Sequence, residues 1–229
     1  MKIIGITGEA GAGKTTFAGY LIEALSVLEG SWVSCRKLSF ATPIKDALGA
    51  MLDLDRYYFE DRDKKERSLD VYPGLGTPRS LMQSLGTEWG RELIGPDLWV
   101  DIAKAKAKKF GDAGINYLLI DDVRFDNVAR WVDEQGGVII EVERDDIAIA
   151  GAHVSENGLT SLPSYTVDNI GDEKALRFTA YSLALEITGH KGYRTPSDPM
   201  RVPDPKRRLN DATPEEWDRA SHEAVPALG

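Results

Sequence analysis

Short runs rich in β-branched apolar residues alternate along this chain with stretches whose apolar positions recur every three or four residues. The runs lie at Ile3–Thr7, Val33–Phe40, Tyr117–Asp121, Val138–Glu143 and, more weakly, Tyr165–Val167. Helical spacing fills the intervals at Lys14–Leu28, Pro43–Leu52, Pro78–Leu93, Leu98–Phe110, Asn127–Gln135 and Glu173–Thr188. Strands that alternate with helices imply right-handed crossovers and a parallel sheet covered on both sides. The pattern predicts a three-layer α/β/α fold around a central five-stranded parallel sheet.

Two stretches break the rhythm. Residues 53–77 are dense in charge and end in P-G-L-G-T-P, too polar for a core and too long for an ordinary connection, so a mobile functional segment is expected there. Asp145–Pro163 carries small residues with His153, Ser155 and Glu156, at a place where loops close over substrates in phosphoryl-transfer enzymes. These divide the chain into a domain over 1–190, with an insertion at 53–96 and a lid-like segment at 145–163, and a tail over 191–229. Within the tail, Thr213-Pro214-Glu215-Glu216 reads as a capping box opening a short helix through Trp217.

Composition narrows the function classes. The chain has 229 residues, 42% of them hydrophobic and 28% charged, which suits one globular α/β domain. A net charge of −9 repels polyanions and disfavours a nucleic-acid motor. The single cysteine, Cys35, forms no internal disulfide and suits a core position in a reduced compartment. The sequence runs straight into a strand without a leader-like segment, and no apolar run approaches the roughly 20 residues of a membrane helix. A cytoplasmic protein without membrane or nucleic-acid partners is expected, and a homodimer is compatible with the sequence.

The chemistry begins at Gly8. G-E-A-G-A-G-K-T over Gly8–Thr15 matches the phosphate-binding loop G-x-x-x-x-G-K-[ST], and it sits between a strand and a helix, the context that gives the motif meaning. Gly8, Ala10, Gly11, Ala12, Gly13, Lys14, Thr15 and Thr16 are the candidate nucleotide-binding residues. The glycines let backbone N–H groups curl around phosphate, the helix N-terminus adds positive potential, Lys14 reaches the terminal phosphates and Thr15 can ligate Mg²⁺. The third apolar run ends in Asp121-Asp122, where a carboxylate at the C-terminal sheet edge holds Mg²⁺ directly or through water. One of the pair suffices; Asp122 is preferred, because Asp121 continues the strand pattern, and either could instead be a solvated turn residue. Arg124, two residues on, suits a substrate phosphate as well as a surface ion pair. In T-P-R-S-L-M-Q-S-L-G-T-E-W-G-R over 77–91, Arg79 and Gln83 share a helix face, and Trp89 or Arg91 adds a stacking or cationic group. An amphipathic helix with a wet side explains the same spacing. Arg144 closes the fourth strand and could steady a transferring phosphoryl group or form a strand-end ion pair. His153 and Ser155 lack the partners of a metal site or a nucleophilic triad.

Together these segments resemble the bacteriophage deoxynucleoside monophosphate kinase family, a branch of the P-loop nucleotide kinases. The resemblance rests on G-E-A-G-A-G-K-T-T at 8–16, F-A-T-P-I-K at 40–45, the 77–91 stretch, I-D-D-V-R-F at 120–125, G-G-V-I-I-E-V-E-R at 136–144 and H-V-S-E at 153–156. It implies an adenylate-kinase-like P-loop fold with a nucleotide-monophosphate-binding insertion and a lid, and transfer of the ATP γ-phosphoryl group to a deoxynucleoside 5′-monophosphate. It further implies that Gly8–Thr16 hold ATP and Mg²⁺, that Arg79, Gln83 and Arg124 hold the acceptor, and that Arg144 sits near the lid. The tail after about residue 190 matches no family motif, and the lid segment has Arg144 without an arginine pair. Two other classes remain open: a P-loop kinase of another small phosphorylated acceptor, and a non-catalytic NTP-binding module. The absence of an N-K-x-D guanine signature counts against a GTP switch.

Overall fold

A computed structural model describes residues 1–30, 33–144, 159–160 and 162–189. The expectations for His153, Ser155, Glu156, most of the lid-like segment and the C-terminal tail with its short helix lie outside the described residues. Five strands, β1 (Lys2–Thr7), β2 (Cys35–Leu38), β3 (Tyr117–Ile120), β4 (Val138–Glu143) and β5 (Tyr165–Asp168), form one sheet. Their order is β2-β3-β1-β4-β5, and every pairing is parallel, as the alternating pattern implied.

The two-residue period of each strand decides which helix it meets. Ile4 and Ile6 of β1, Leu119 of β3, Ile140 and Val142 of β4 and Val167 of β5 pack against α1 (Lys14–Glu29) and α7 (Glu173–Thr188). The alternate positions, Ile3, Leu118, Ile120 and Ile139, meet α5 (Leu98–Asp112) and α6 (Asp126–Glu134) on the other face. The strands are therefore apolar on both sides, and the core is continuous through the sheet.

A third, smaller cluster joins α2 (Ala41–Leu52) to the segments that follow it. Ile44 and Leu48 of α2 and Phe59 of α3 (Tyr57–Glu60) are buried together, with Leu81 and Met82 of α4 (Pro78–Gln83) and Trp99 packed around them. The charged stretch expected to be mobile folds back on this cluster. Phe59 and Leu69 are 1% and 4% exposed, a 3₁₀ turn forms at Lys64–Glu66, and the Tyr72 hydroxyl donates to the Leu52 carbonyl at 2.9 Å. Its charges face outward or into a cleft while two apolar residues anchor it.

Two of the boundaries that differ from the expected ones have clear local causes. The second strand stops at Leu38 rather than Phe40, because the Phe40 and Ala41 amides turn away to donate to Asp122. The helix expected over Pro78–Leu93 is α-helical only to Gln83; from Ser84 to Ile94 it widens to a π-helix. Gly90 sits in the widened part against the Trp99 indole, where a Cβ would lie 2.5 Å from Nε1. Among the described residues no helix is long and apolar enough to cross a membrane.

Candidate functional site

The loop between β1 and α1 is the floor of the site. Gly8 and Gly13 take φ of 131° and 94°, conformations that L side chains rarely adopt, and a Cβ at either would strike the Val142 carbonyl or the Asn169 amide. Asn169, just after β5, donates from Nδ2 to the Ala12 carbonyl at 2.8 Å and so ties the loop to the far side of the sheet. The α1 N-terminus has no side-chain cap, which leaves its first-turn N–H groups for a ligand. The Lys14 ammonium folds over the loop and donates to the Gly8 and Glu9 carbonyls at 2.8 and 2.6 Å.

The two aspartates divide their tasks in a way that strand alternation does not reveal. Thr15 Oγ1 donates to Asp121 Oδ2 at 3.2 Å, and Lys37 Nζ lies 2.5 Å from the same oxygen. Asp122 turns towards the β2–α2 turn. It accepts from Ser39 Oγ at 2.7 Å, the Phe40 amide at 3.1 Å and the Ala41 amide at 3.0 Å, so both its oxygens are occupied in holding the start of α2. Burial pushes the Asp122 carboxyl up, those hydrogen bonds pull it down, and the neighbouring Asp121 charge adds to the push. Asp122 is preferred from the sequence as the metal-side residue, whereas Asp121 is the carboxylate that lies beside Thr15.

From the loop a cavity of about 420 Å³ runs across the C-terminal edge of the sheet to α3 and α4. Ala10, Gly11, Lys14, Thr15, Asp121 and Asp122 line one end, and Lys45, Lys65, Arg79, Gln83, Arg91 and Arg124 line the rest. Six basic side chains face three carboxylates in the lining, although the whole chain carries −9. This focuses positive potential where the protein is otherwise acidic. Arg79 Nε pairs with Glu66 at 2.5 Å, and Lys45 lies 3.7 Å from Glu60. Burial lowers the Lys65 pKa from its ordinary value, and the Arg79 charge lowers it further, while Glu66 offsets part of the shift.

The widened helix explains which of its residues reach the cavity. An α-helix turns about 100° per residue, which would carry Arg91 about 120° round from Arg79. After Gln83 the i→i+5 bonding reduces the step to roughly 80°, which returns both Thr87 and Arg91 to within about 40° of Arg79. Arg79, Gln83, Thr87 and Arg91 all line the cavity. The Arg91 guanidinium lies over the Phe125 ring at 3.7 Å. Trp89 is turned the other way by the same geometry. It is 44% exposed, tilts against Trp99 at 6.5 Å and lies outside the cavity lining. Arg144 is exposed at the end of β4 and also lies outside the lining.

Sequence reasoning did not single out Lys45, Lys65, Trp99 or Asn169. Lys45 ends the F-A-T-P-I-K segment and Lys65 lies in the charge-dense stretch, so a signal existed for both in residues already noted. Trp99 and Asn169 are placed only by packing between elements distant in sequence.

Comparison with known proteins narrows the reading. A family model described as deoxynucleotide monophosphate kinase matches residues 75–176, from just before α4 into α7. A protein of Acanthamoeba polyphaga mimivirus, named provisionally as a deoxynucleotide monophosphate kinase, is 34% identical over 176 residues, 73% of this chain and 86% of its own length. The deoxynucleoside-5′-monophosphate kinase of Escherichia phage T5 is 23% identical over 216 residues, 69% of this chain and 84% of its own. With a third of its residues shared across nearly three quarters of its length, and with the loop and cavity on the matched fold, this chain belongs to the deoxynucleotide monophosphate kinase family.

Proposed function

We propose that the chain transfers the γ-phosphoryl group of ATP to the phosphate of a deoxynucleoside 5′-monophosphate, giving the diphosphate and ADP. The observation that carries this reading is the continuous cavity, with the phosphate-binding loop at one end and a second bank of basic side chains at the other. A phosphate oxygen of the acceptor attacks the γ-phosphorus, the bond to the β,γ-bridging oxygen breaks, and ADP leaves with that electron pair. The acceptor phosphate is already ionised near neutral pH, so no general base is required. Positioning and charge neutralisation supply the rate.

Gly8–Thr16 hold the ATP phosphates through backbone N–H groups, and Lys14 moves from the loop carbonyls to the phosphoryl group in transit. Arg79, Arg124, Lys65 and Lys45 hold the acceptor phosphate, while Gln83 meets its base. Thr15 and Asp121 are a pair of hard oxygen donors beside the loop, which fits Mg²⁺. Bound there, the ion supplies charge neutralisation on the β- and γ-phosphates. The Arg79–Glu66 pair keeps the arginine in the cavity wall until a phosphate competes for it.

ADP release measured against a panel of deoxy- and ribonucleoside monophosphates tests the assignment. Turnover with deoxynucleotides that falls by roughly 100-fold or more in Lys14→Met, with the thermal midpoint unchanged, is expected. Flat release across the panel by an enzyme that still binds ATP would refute it in favour of a binding module. Turnover confined to a phosphorylated non-nucleotide would point to another small acceptor.

A further inference from the structure

Among the four residues of the helical stripe that line the cavity, Arg79 and Arg91 are cationic and stand at its ends, while Gln83 and Thr87 are neutral and stand between them. Neither the Gln83 amide nor the Thr87 hydroxyl has a hydrogen-bond partner among the described residues. For Thr87 this is unusual, since the residue is only 8% exposed. A helical threonine buried this deeply usually satisfies its hydroxyl on the carbonyl four residues back. Thr179 of α7, 5% exposed, does so on Ala175 at 3.1 Å. Among the described residues the one sealed, unpartnered side-chain atom is Asn127 Oδ1, so the Thr87 hydroxyl is reachable from the cavity rather than trapped in the wall. An accessible hydroxyl that no protein group takes up is free to bond a ligand in the cavity.

The surroundings specify what would complete it. Trp99 donates its indole N–H to the Gly86 carbonyl at 2.7 Å, which fixes the ring as a wall beside Thr87. Phe59, Met82 and Ile44 make the neighbouring surface apolar. Apolar walls with two convergent neutral hydrogen-bonding groups suit a flat heteroaromatic ring with a polar edge. On the reading that the acceptor is a nucleoside monophosphate, we infer that Thr87 is a specificity-determining residue, its hydroxyl meeting, next to Gln83, the polar edge of the acceptor base. The π-helix is what makes this possible, because ordinary α-helical steps would turn residue 87 about 80° away from Arg79. A hydroxyl donates or accepts by rotation, so its removal leaves one edge atom of a bound base unpaired, whichever kind that atom is.

Three variants of the full chain test this: Thr87→Val, which keeps the shape, Thr87→Ala, which covers any disturbance of packing by valine, and Thr87→Ser, which keeps the hydroxyl. The readouts are kcat/KM for each of the four common deoxynucleoside monophosphates, KM for ATP, and calorimetric affinity for each monophosphate and for 2-deoxyribose 5-phosphate, which lacks a base. Thr87→Val and Thr87→Ala should lose roughly 5- to 10-fold in kcat/KM and affinity for the preferred monophosphate, with unequal losses among the four bases. Their KM for ATP and their affinity for 2-deoxyribose 5-phosphate should stay within about 2-fold, and Thr87→Ser should restore the preference. Equal losses for all four bases and for the sugar phosphate, or no loss at all, would overturn the inference while leaving the kinase assignment standing. A wild-type enzyme that neither binds nor phosphorylates any monophosphate would remove both.

Discussion

The division of labour between Asp121 and Asp122 is best tested by removing each in turn. Asp122→Ala deletes an acceptor that holds one hydroxyl and two backbone amides at the start of α2. Loss of a helix-capping side chain costs about 0.5–2 kcal/mol, and each hydrogen bond to a charged group contributes about 1.5–3 kcal/mol. The three bonds do not add, and the burial that pushes this carboxyl up offsets part of them. A net loss of about 3 kcal/mol follows, which lowers the thermal midpoint of a chain this size by roughly 6–12 °C. Asp121→Ala removes instead a partner of Thr15 and of Lys37, a lysine whose side chain is 37% exposed and readily rehydrated. Its cost to stability should stay below about 1 kcal/mol. Turnover, in contrast, should fall by roughly 100-fold or more, and protection of the fold by Mg²⁺–ATP against heating should weaken. Differential scanning fluorimetry with and without nucleotide, paired with steady-state ADP release, separates the two patterns. If Asp122→Ala keeps the wild-type midpoint but loses turnover as Asp121→Ala is expected to, then the geometric assignment is wrong and Asp122 is the metal-side carboxylate.

Asn169→Ala should raise KM for ATP by roughly 5- to 10-fold with little change in KM for the acceptor, because it frees the Ala12 carbonyl and loosens the loop; equal changes in both constants would show a general loss of structure instead. Gly90→Ala places a methyl within 2.5 Å of the Trp99 indole nitrogen, so it should displace the ring, break its bond to Gly86 and raise KM for the acceptor more than for ATP. Lys65 supplies a pH signature. Burial and Arg79 lower its pKa in the free enzyme, and a bound phosphate raises it again, so acceptor binding should take up a proton at pH values below the ordinary lysine range. Calorimetry in two buffers of different ionisation enthalpy checks this, and uptake that persists in Lys65→Met would assign the proton elsewhere.

The sheet and its helices were legible because burial on two faces imposes a period that each segment carries by itself. The bounds of β4 and α7 fall on the expected residues for that reason. The phosphate-binding loop was legible too, since the eight positions of one short motif and its flanking elements lie together in the chain. What could not be read was any choice settled across long sequence separation. Alternation along β3 assigns faces only while the strand lasts, and the strand ends at Ile120, one residue before the aspartates. The Ser39 hydroxyl and the amides of Phe40 and Ala41, about 80 residues away, then decide where Asp122 turns. The π-helix is the subtler case. Over a single turn the α and π patterns differ by less than one residue, so apolar spacing at 84–94 does not distinguish them. The difference accumulates: by residue 91 it has rotated the chain by roughly 160°, enough to bring Arg91 into the cavity and send Trp89 outside. A helix that reads as ordinary therefore lines the cavity with Thr87 in addition to Arg79, Gln83 and Arg91, and leaves Trp89 outside the lining. Thr87, which no spacing rule marked out, enters the cavity by the same rotation that removes Trp89.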